Sequence, residues 1–164
     1  MNKFEVKGHE PSYLPEGEWK LVWADEFDGT ELDRTKWDFR TNFWGKPAEA
    51  YTDQGIVLDG NSHIELHRTE IDGRYVSPQL QTGSNSFDFL TSTRENPWGQ
   101  DGIWPLEPLP EPKFEHRYGY YECLCKFPKE PEIMWSAFWT QSPSIGTRFS
   151  PEWCGIESDI MEYF

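Results

Sequence analysis

The stretch Gly155-Ile-Glu-Ser-Asp-Ile-Met-Glu-Tyr-Phe164 sets the hardest condition on how this 164-residue chain can fold. Its three carboxylates, Glu157, Asp159 and Glu162, sit in a run of strand formers rather than in a polar loop. Side chains of a strand alternate between faces, so Glu157 and Asp159 share one face while Glu162, five positions from Glu157, points to the other. One extra residue around Ile160-Met161, a β-bulge, reverses that parity and returns Glu162 to its partners' face. The competing reading is an exposed edge strand with three solvated acids. With 29 Asp plus Glu in the chain, a triplet at any fixed spacing is expected about once by chance. The neighbourhood weighs against chance, because Trp135-Ser-Ala-Phe-Trp139 lies just upstream. Carboxylates set among aromatics are costly unless they are paired or used.

The rest of the chain reads as strands and turns, with no helical stripe. Trp19, Leu21 and Trp23 alternate on one face before Asp25-Glu-Phe-Asp-Gly29 breaks the run. Ile56-Val-Leu58 and His63-Ile-Glu-Leu-His67 flank Asp59-Gly60-Asn61, a hairpin that needs positive φ at Gly60, and a second turn falls at Asp72-Gly73. Gln79 to Ser86 is expected to be a further strand. Residues 91–115 carry Pro97, Pro105, Pro108, Pro110 and Pro112, which excludes a central strand and predicts a long surface loop. Arg117 to Phe127 is expected to resume as a long strand, and Ile133 to Thr140 to pair back on it. Short strands at turn-rich spacing, without crossover helices, predict an all-β antiparallel sandwich.

Charge and composition narrow the partners. A formal charge of -14 repels nucleic acid and anionic membrane, so neither is expected as a partner. The 9 Trp exceed what a core of this size normally requires, and flat neutral ligands such as sugar rings suit exposed indoles, although a sandwich interior accounts for about half of them. Met1 to His9 lacks the apolar segment of a signal peptide and no run approaches membrane-spanning length, so a soluble cytoplasmic protein is expected. Cys123, Cys125 and Cys154 are an odd set without a disulfide pattern, and buried structural thiols are expected.

Four segments in order, Val22-Trp-Ala-Asp-Glu-Phe-Asp-Gly-Thr-Glu-Leu-Asp33 with Lys36-Trp37, Tyr118-Gly-Tyr-Tyr-Glu122, Trp135-Ser-Ala-Phe-Trp139 and Glu157-Ser-Asp-Ile-Met-Glu162, together resemble glycoside hydrolase family 16. The resemblance implies a jelly roll of two curved, concanavalin A-like sheets and retaining endo-hydrolysis of β-linked glucans or galactans. The Glu-x-Asp-x-x-Glu spacing is similar to the bulged branch of laminarinases, agarases and carrageenases. By that resemblance Glu157 is the nucleophile, Asp159 the assisting carboxylate and Glu162 the general acid/base. Trp135 and Trp139 become candidates for stacking on sugar rings, each equally well a core residue, and Glu122 for orienting sugar hydroxyls. No cofactor is required. A structural calcium is carried over with Glu26 and Gly60 as candidate contacts.

Two departures stand out. Leu124 occupies a place where the family often has Arg. Family members also continue for several strands past the catalytic one, so the resemblance implies an 18-residue extension followed by a catalytic domain, 19–164, truncated after its catalytic strand and inactive alone. A non-catalytic carbohydrate-binding jelly roll is the other reading the residues allow. A structural or interaction protein is the third, favoured if the acids are exposed and scattered.

Overall fold

The computed structural model describes residues 13–43, 46–88, 109–129, 134–147 and 151–164. The chain is nearly all β. Helix among the described residues is limited to α1 (Pro151–Cys154) and a 3-10 turn at Ser86–Asp88. The strands are β1 (Asp38–Phe39), β2 (Asn42–Phe43), β3 (Lys46–Pro47), β4 (Tyr51–Thr52), β5 (Ile56–Leu58), β6 (Ile64–Leu66), β7 (Thr69–Ile71), β8 (Arg74–Pro78), β9 (Leu80–Gln81), β10 (Ser136–Gln141) and β11 (Glu157–Tyr163). Antiparallel pairs form between β1 and β9, β2 and β3, β5 and β6, and β10 and β11. The remaining sheet is mixed: β8 pairs antiparallel with β7 and parallel with β4, a departure from the purely antiparallel expectation.

Both hairpin turns follow from their residues. Asp72 and Gly73 have φ of 51° and 74°, and two positive values at the central positions match the right-handed twist of β7 and β8. In the β5–β6 turn Gly60 has φ 73°, and Asp59 Oδ1 accepts from the backbone N–H groups of Asn61 at 2.7 Å and His63 at 3.2 Å. That carboxylate substitutes for backbone acceptors that a two-residue turn would have supplied.

Two expected strands are not strands, and a third is cut short. Residues Trp19 to Ala24 join no ladder; Trp23 instead packs edge-on to Trp37 at 5.1 Å and stacks on Phe114 at 5.4 Å. Residues Arg117 to Phe127 likewise join no ladder among the described residues, and β10 pairs with β11 rather than back on them. Strand propensity measures fit to a pleated, half-buried surface, and it does not supply the hydrogen-bonding neighbour. Aromatic contacts hold this segment instead, with Phe127 stacked on Tyr163 at 4.9 Å. Of Gln79 to Ser86, only Leu80–Gln81 is strand, because Ser86 N–H donates to Pro143 O at 2.9 Å and turns the chain away. Residues 91–108 of the proline-rich loop and Ile133 lie outside the described residues, and 109–115 form no strand or helix.

Most of the buried side chains among the described residues are polar. Among the described residues Val76 and Cys154 are the buried apolar side chains, against Arg40, Thr52, Asn85, Ser86, Asp88 and Thr147. Arg40 Nε and Nη2 donate to the two Asp88 oxygens at 2.9 and 2.8 Å, a bidentate pair that joins β1's flank to the 3-10 turn.

β11 begins against the end of β10. Ser142 N–H donates to Ile156 O at 3.0 Å, and Gly155, at φ 75°, lets the chain pass where a Cβ would lie 2.4 Å from Ser142 Oγ. Gly73 has a similar φ with nothing within 4 Å of such a Cβ. Gly155→Ala is therefore expected to destabilise by clearly more than Gly73→Ala, for which backbone strain alone costs about 1 kcal/mol. Urea unfolding of the two variants, with equal losses as the contrary result, checks this.

Candidate functional site

The β10–β11 ladder places the acidic triplet. Gln141 pairs with Glu157, Thr140 with Ser158 and Trp139 with Asp159; the register then shifts, and Phe138 pairs with Met161, Ala137 with Glu162 and Ser136 with Tyr163. Ile160 is the unpaired extra residue, so the bulge lies where the acid spacing requires it. Opposed residues of a ladder share a face, and Ala137, Trp139 and Gln141 alternate on one face of β10. Glu157, Asp159 and Glu162 therefore lie on that face together. Side-chain bonds agree with the parity: Trp135 Nε1 donates to Glu162 Oε1 at 2.8 Å, and Gln141 Nε2 donates to Glu157 Oε2 at 2.5 Å.

All three acids are exposed, and they are gathered rather than scattered. Small Ala137 opposite Glu162 leaves room above the ladder for the Trp135 ring, which is 68% exposed and tilts against Phe164 at 4.9 Å. Trp139 is more enclosed, with the Arg40 guanidinium 5.3 Å from its ring centre. Of the two stacking candidates, Trp135 presents the open ring. The opposite face of β11 carries Tyr163, covered by Phe127.

Behind Gln141 stands a polar assembly that sequence reasoning missed. Asn85 Nδ2 donates to Gln141 Oε1, and Arg40 Nη2 lies 3.5 Å from the same oxygen. Arg40 is in turn clamped by Asp88, whose carboxyl burial pushes above the usual range while the Arg40 bonds pull it back only in part. The one available signal was parity, since Gln141 stands two residues beyond Trp139 on the acid face. Nothing local marks Arg40 or Asp88, which lie 48 residues apart in the chain.

The remaining candidates fall elsewhere. Glu122 Oε2 accepts from the Tyr120 hydroxyl two residues upstream, a bond that raises the phenol above its ordinary pKa. Leu124 is 85% exposed. Glu26 lines a cleft with Asp25, Asp28, Glu31 and Asp33, while Gly60 lies in the β5–β6 turn, where a Cβ would come 3.3 Å from Thr30. Among the described residues no group of three or more His, Cys, Asp and Glu side chains gathers as a metal ion would require. No helix of the described residues is long and apolar enough to cross a membrane.

The thiols correct the expectation of three buried cysteines. Cys154 is buried, but Cys123 and Cys125 are exposed with their sulfurs 3.2 Å apart. Residues i and i+2 of an extended segment point the same way, and without a covering strand both meet solvent. The Cys123 thiol shares its proton with Cys125 and pulls that thiol down to about 7, while Cys123 itself is pushed up.

Comparison of the chain with family models, with curated proteins and with solved structures gives no match.

Two outcomes are expected from these contacts. Asp88→Ala removes the carboxylate that faces the buried Arg40 charge and should cost about 3 to 5 kcal/mol, whereas Arg40→Met with Asp88→Leu should cost far less, as buried ion pairs replaced whole usually do. Denaturant midpoints of the single and double variants decide it. Alkylation by iodoacetamide should modify Cys125 with a midpoint near pH 7. In Cys123→Ala the midpoint should rise toward the free-thiol value of about 8.5, and an unchanged midpoint would show that the two sulfurs do not share a proton.

Proposed function

We propose that the acid face of β10 and β11 is the catalytic centre of a retaining endo-glycosidase acting on β-linked, neutral polysaccharide, a glucan or galactan, within a jelly-roll sandwich of the family 16 kind. The observation that carries this reading is the register shift at Ile160, which brings Glu157, Asp159 and Glu162 to one face with an exposed indole beside the last. Retaining hydrolysis needs two carboxyls about 5 to 5.5 Å apart, one to attack the anomeric carbon and one to protonate the departing oxygen. Glu157 takes the first role, Glu162 the second, and Asp159 between them steadies the nucleophile. Trp135 offers a flat apolar surface for a sugar ring. The charge of -14 favours an uncharged polymer over a sulfated one. Structural calcium adds nothing to this chemistry.

A second reading, carbohydrate binding without turnover, is favoured by the exposure of all three acids, since a catalytic carboxyl pair usually sits in a cleft that excludes water. Binding assays do not separate the two readings. Release of reducing ends from a panel of laminarin, lichenan, agar and carrageenan does, run on the 164-residue chain and, where the reading frame extends past Phe164, on the longer form.

In the form that hydrolyses, Glu157→Gln should abolish turnover with the thermal transition retained. Glu162→Gln should lose activity on polysaccharide but keep it on an aryl glycoside, because a good leaving group needs no proton. Hydrolysis by neither form would overturn the enzymatic reading, and full activity of Glu157→Gln would reassign the nucleophile.

A further inference from the structure

The Gln141 amide is held between opposite charges. Its Oε1 faces two donors, Asn85 Nδ2 and Arg40 Nη2, and its Nε2 faces the Glu157 carboxylate. Rotating the amide by half a turn would set donor against donor on one side and oxygen against carboxylate on the other, so the surroundings fix its orientation. Arg40 and Asp88 are both buried, and their bidentate bonds leave the guanidinium no freedom to follow a moving side chain. Glu157 is thereby held through one oxygen, Oε2, by a side chain anchored on a buried ion pair.

Resting on the glycosidase reading, we propose that Gln141, anchored by Arg40, Asp88 and Asn85, is a positioning residue for Glu157 that acts mainly on the second half of the reaction. In the first step Glu157 Oε1 bonds to the anomeric carbon while the glycosidic C–O bond breaks and the leaving oxygen takes the proton of Glu162. In the second, water attacks that carbon and gives its proton to Glu162, and the ester C–O bond breaks with its electron pair returning to Glu157. The Gln141 N–H bond is weakest when Glu157 is a neutral ester and strengthens as the carboxylate charge reappears. An interaction stronger in the transition state than in the preceding ground state accelerates that step. In the first step the charge on Glu157 falls, and there the bond contributes aim more than charge stabilisation.

The kinetic signature is specific. With a 2,4-dinitrophenyl β-glycoside of the disaccharide unit that the protein cleaves, Gln141→Leu should lower kcat about tenfold to a hundredfold, the worth of one hydrogen bond to a charged group. KM should fall with it, and dinitrophenol should be released in a burst as the glycosyl-enzyme accumulates. Gln141→Glu keeps the anchor oxygens but cannot donate until its introduced carboxyl is protonated, so its activity relative to wild type should climb toward acid pH. A residue with a purely structural role lowers the amount of folded enzyme and produces neither effect.

A measurement without turnover accompanies the kinetics. In a 15N spectrum of the full chain, the Gln141 side-chain amide signals should shift on Glu157→Ala and stay in place on Glu31→Ala. Failure of the wild type to hydrolyse any polymer removes the functional reading. Hydrolysis with an unmoved Gln141 amide, or with kcat and KM of Gln141→Leu unchanged and no burst, overturns the positioning role alone.

Discussion

The register shift at Ile160 reconciles two demands that a regular ladder cannot meet together. β11 must alternate to pair with β10 over its whole length, and its three carboxylates must end on one side. A bulge satisfies both by spending one residue on neither. The cost is local: Ile160 is left 47% exposed and makes no ladder pair. Three acidic side chains crowd one face, and the ladder supplies donors at each end, Trp135 to Glu162 and Gln141 to Glu157. The close entry at Gly155 feeds the same geometry, since it fixes where β11 meets β10 and hence which residue opposes Gln141.

The buried Arg40–Asp88 pair plays a different part from an apolar core. Desolvating two charges costs several kcal/mol per ion, and mutual attraction recovers this only with full hydrogen bonding. Asp88 shows the tension, since burial raises its pKa even with two guanidinium bonds in place. Such a pair adds little net stability, yet it tolerates few alternative geometries. It ties the 3-10 turn at Ser86–Asp88 to the β1 flank and, through Asn85 and Gln141, to the first acid of β11.

Much of this was legible in the residues, and the line between what was and was not follows sequence distance. The turns at Asp72-Gly73 and Asp59-Gly60 depend on residues that must adopt positive φ, a property carried by one or two positions. The shared face of Glu157, Asp159 and Glu162 follows from counting within one strand once a bulge at Ile160-Met161 is allowed. That Arg117 to Phe127 joins no ladder among the described residues was not legible, because whether a strand-forming run becomes a strand depends on a neighbour supplied from elsewhere in the chain. The Arg40–Gln141 contact spans 101 residues, and no periodicity or motif reports on it. The exposed thiols of Cys123 and Cys125 belong with that failure, for the burial of a side chain in an extended segment depends on a neighbouring element that no local pattern reports.

The choice of an amide at position 141 has a chemical reason on the glycosidase reading. A nucleophilic carboxylate needs a donor to hold it, yet a cation placed directly on it would neutralise the charge that makes it attack. Arg40 stands one group removed, with its own charge largely answered by Asp88. The amide of Gln141, polarised by Arg40 and Asn85 at its oxygen, offers Glu157 a stronger N–H than an isolated amide would, because hydrogen bonds in series polarise one another. Lysine at that position would bring a full charge to Glu157 and set it against Arg40. Leucine would fill the space and leave the Asn85 amide and the Arg40 edge without their acceptor, in an interior where unpaired polar groups are the costly ones. Of the side chains of this length, glutamine alone accepts on the buried side and donates on the exposed one without altering the charge of either.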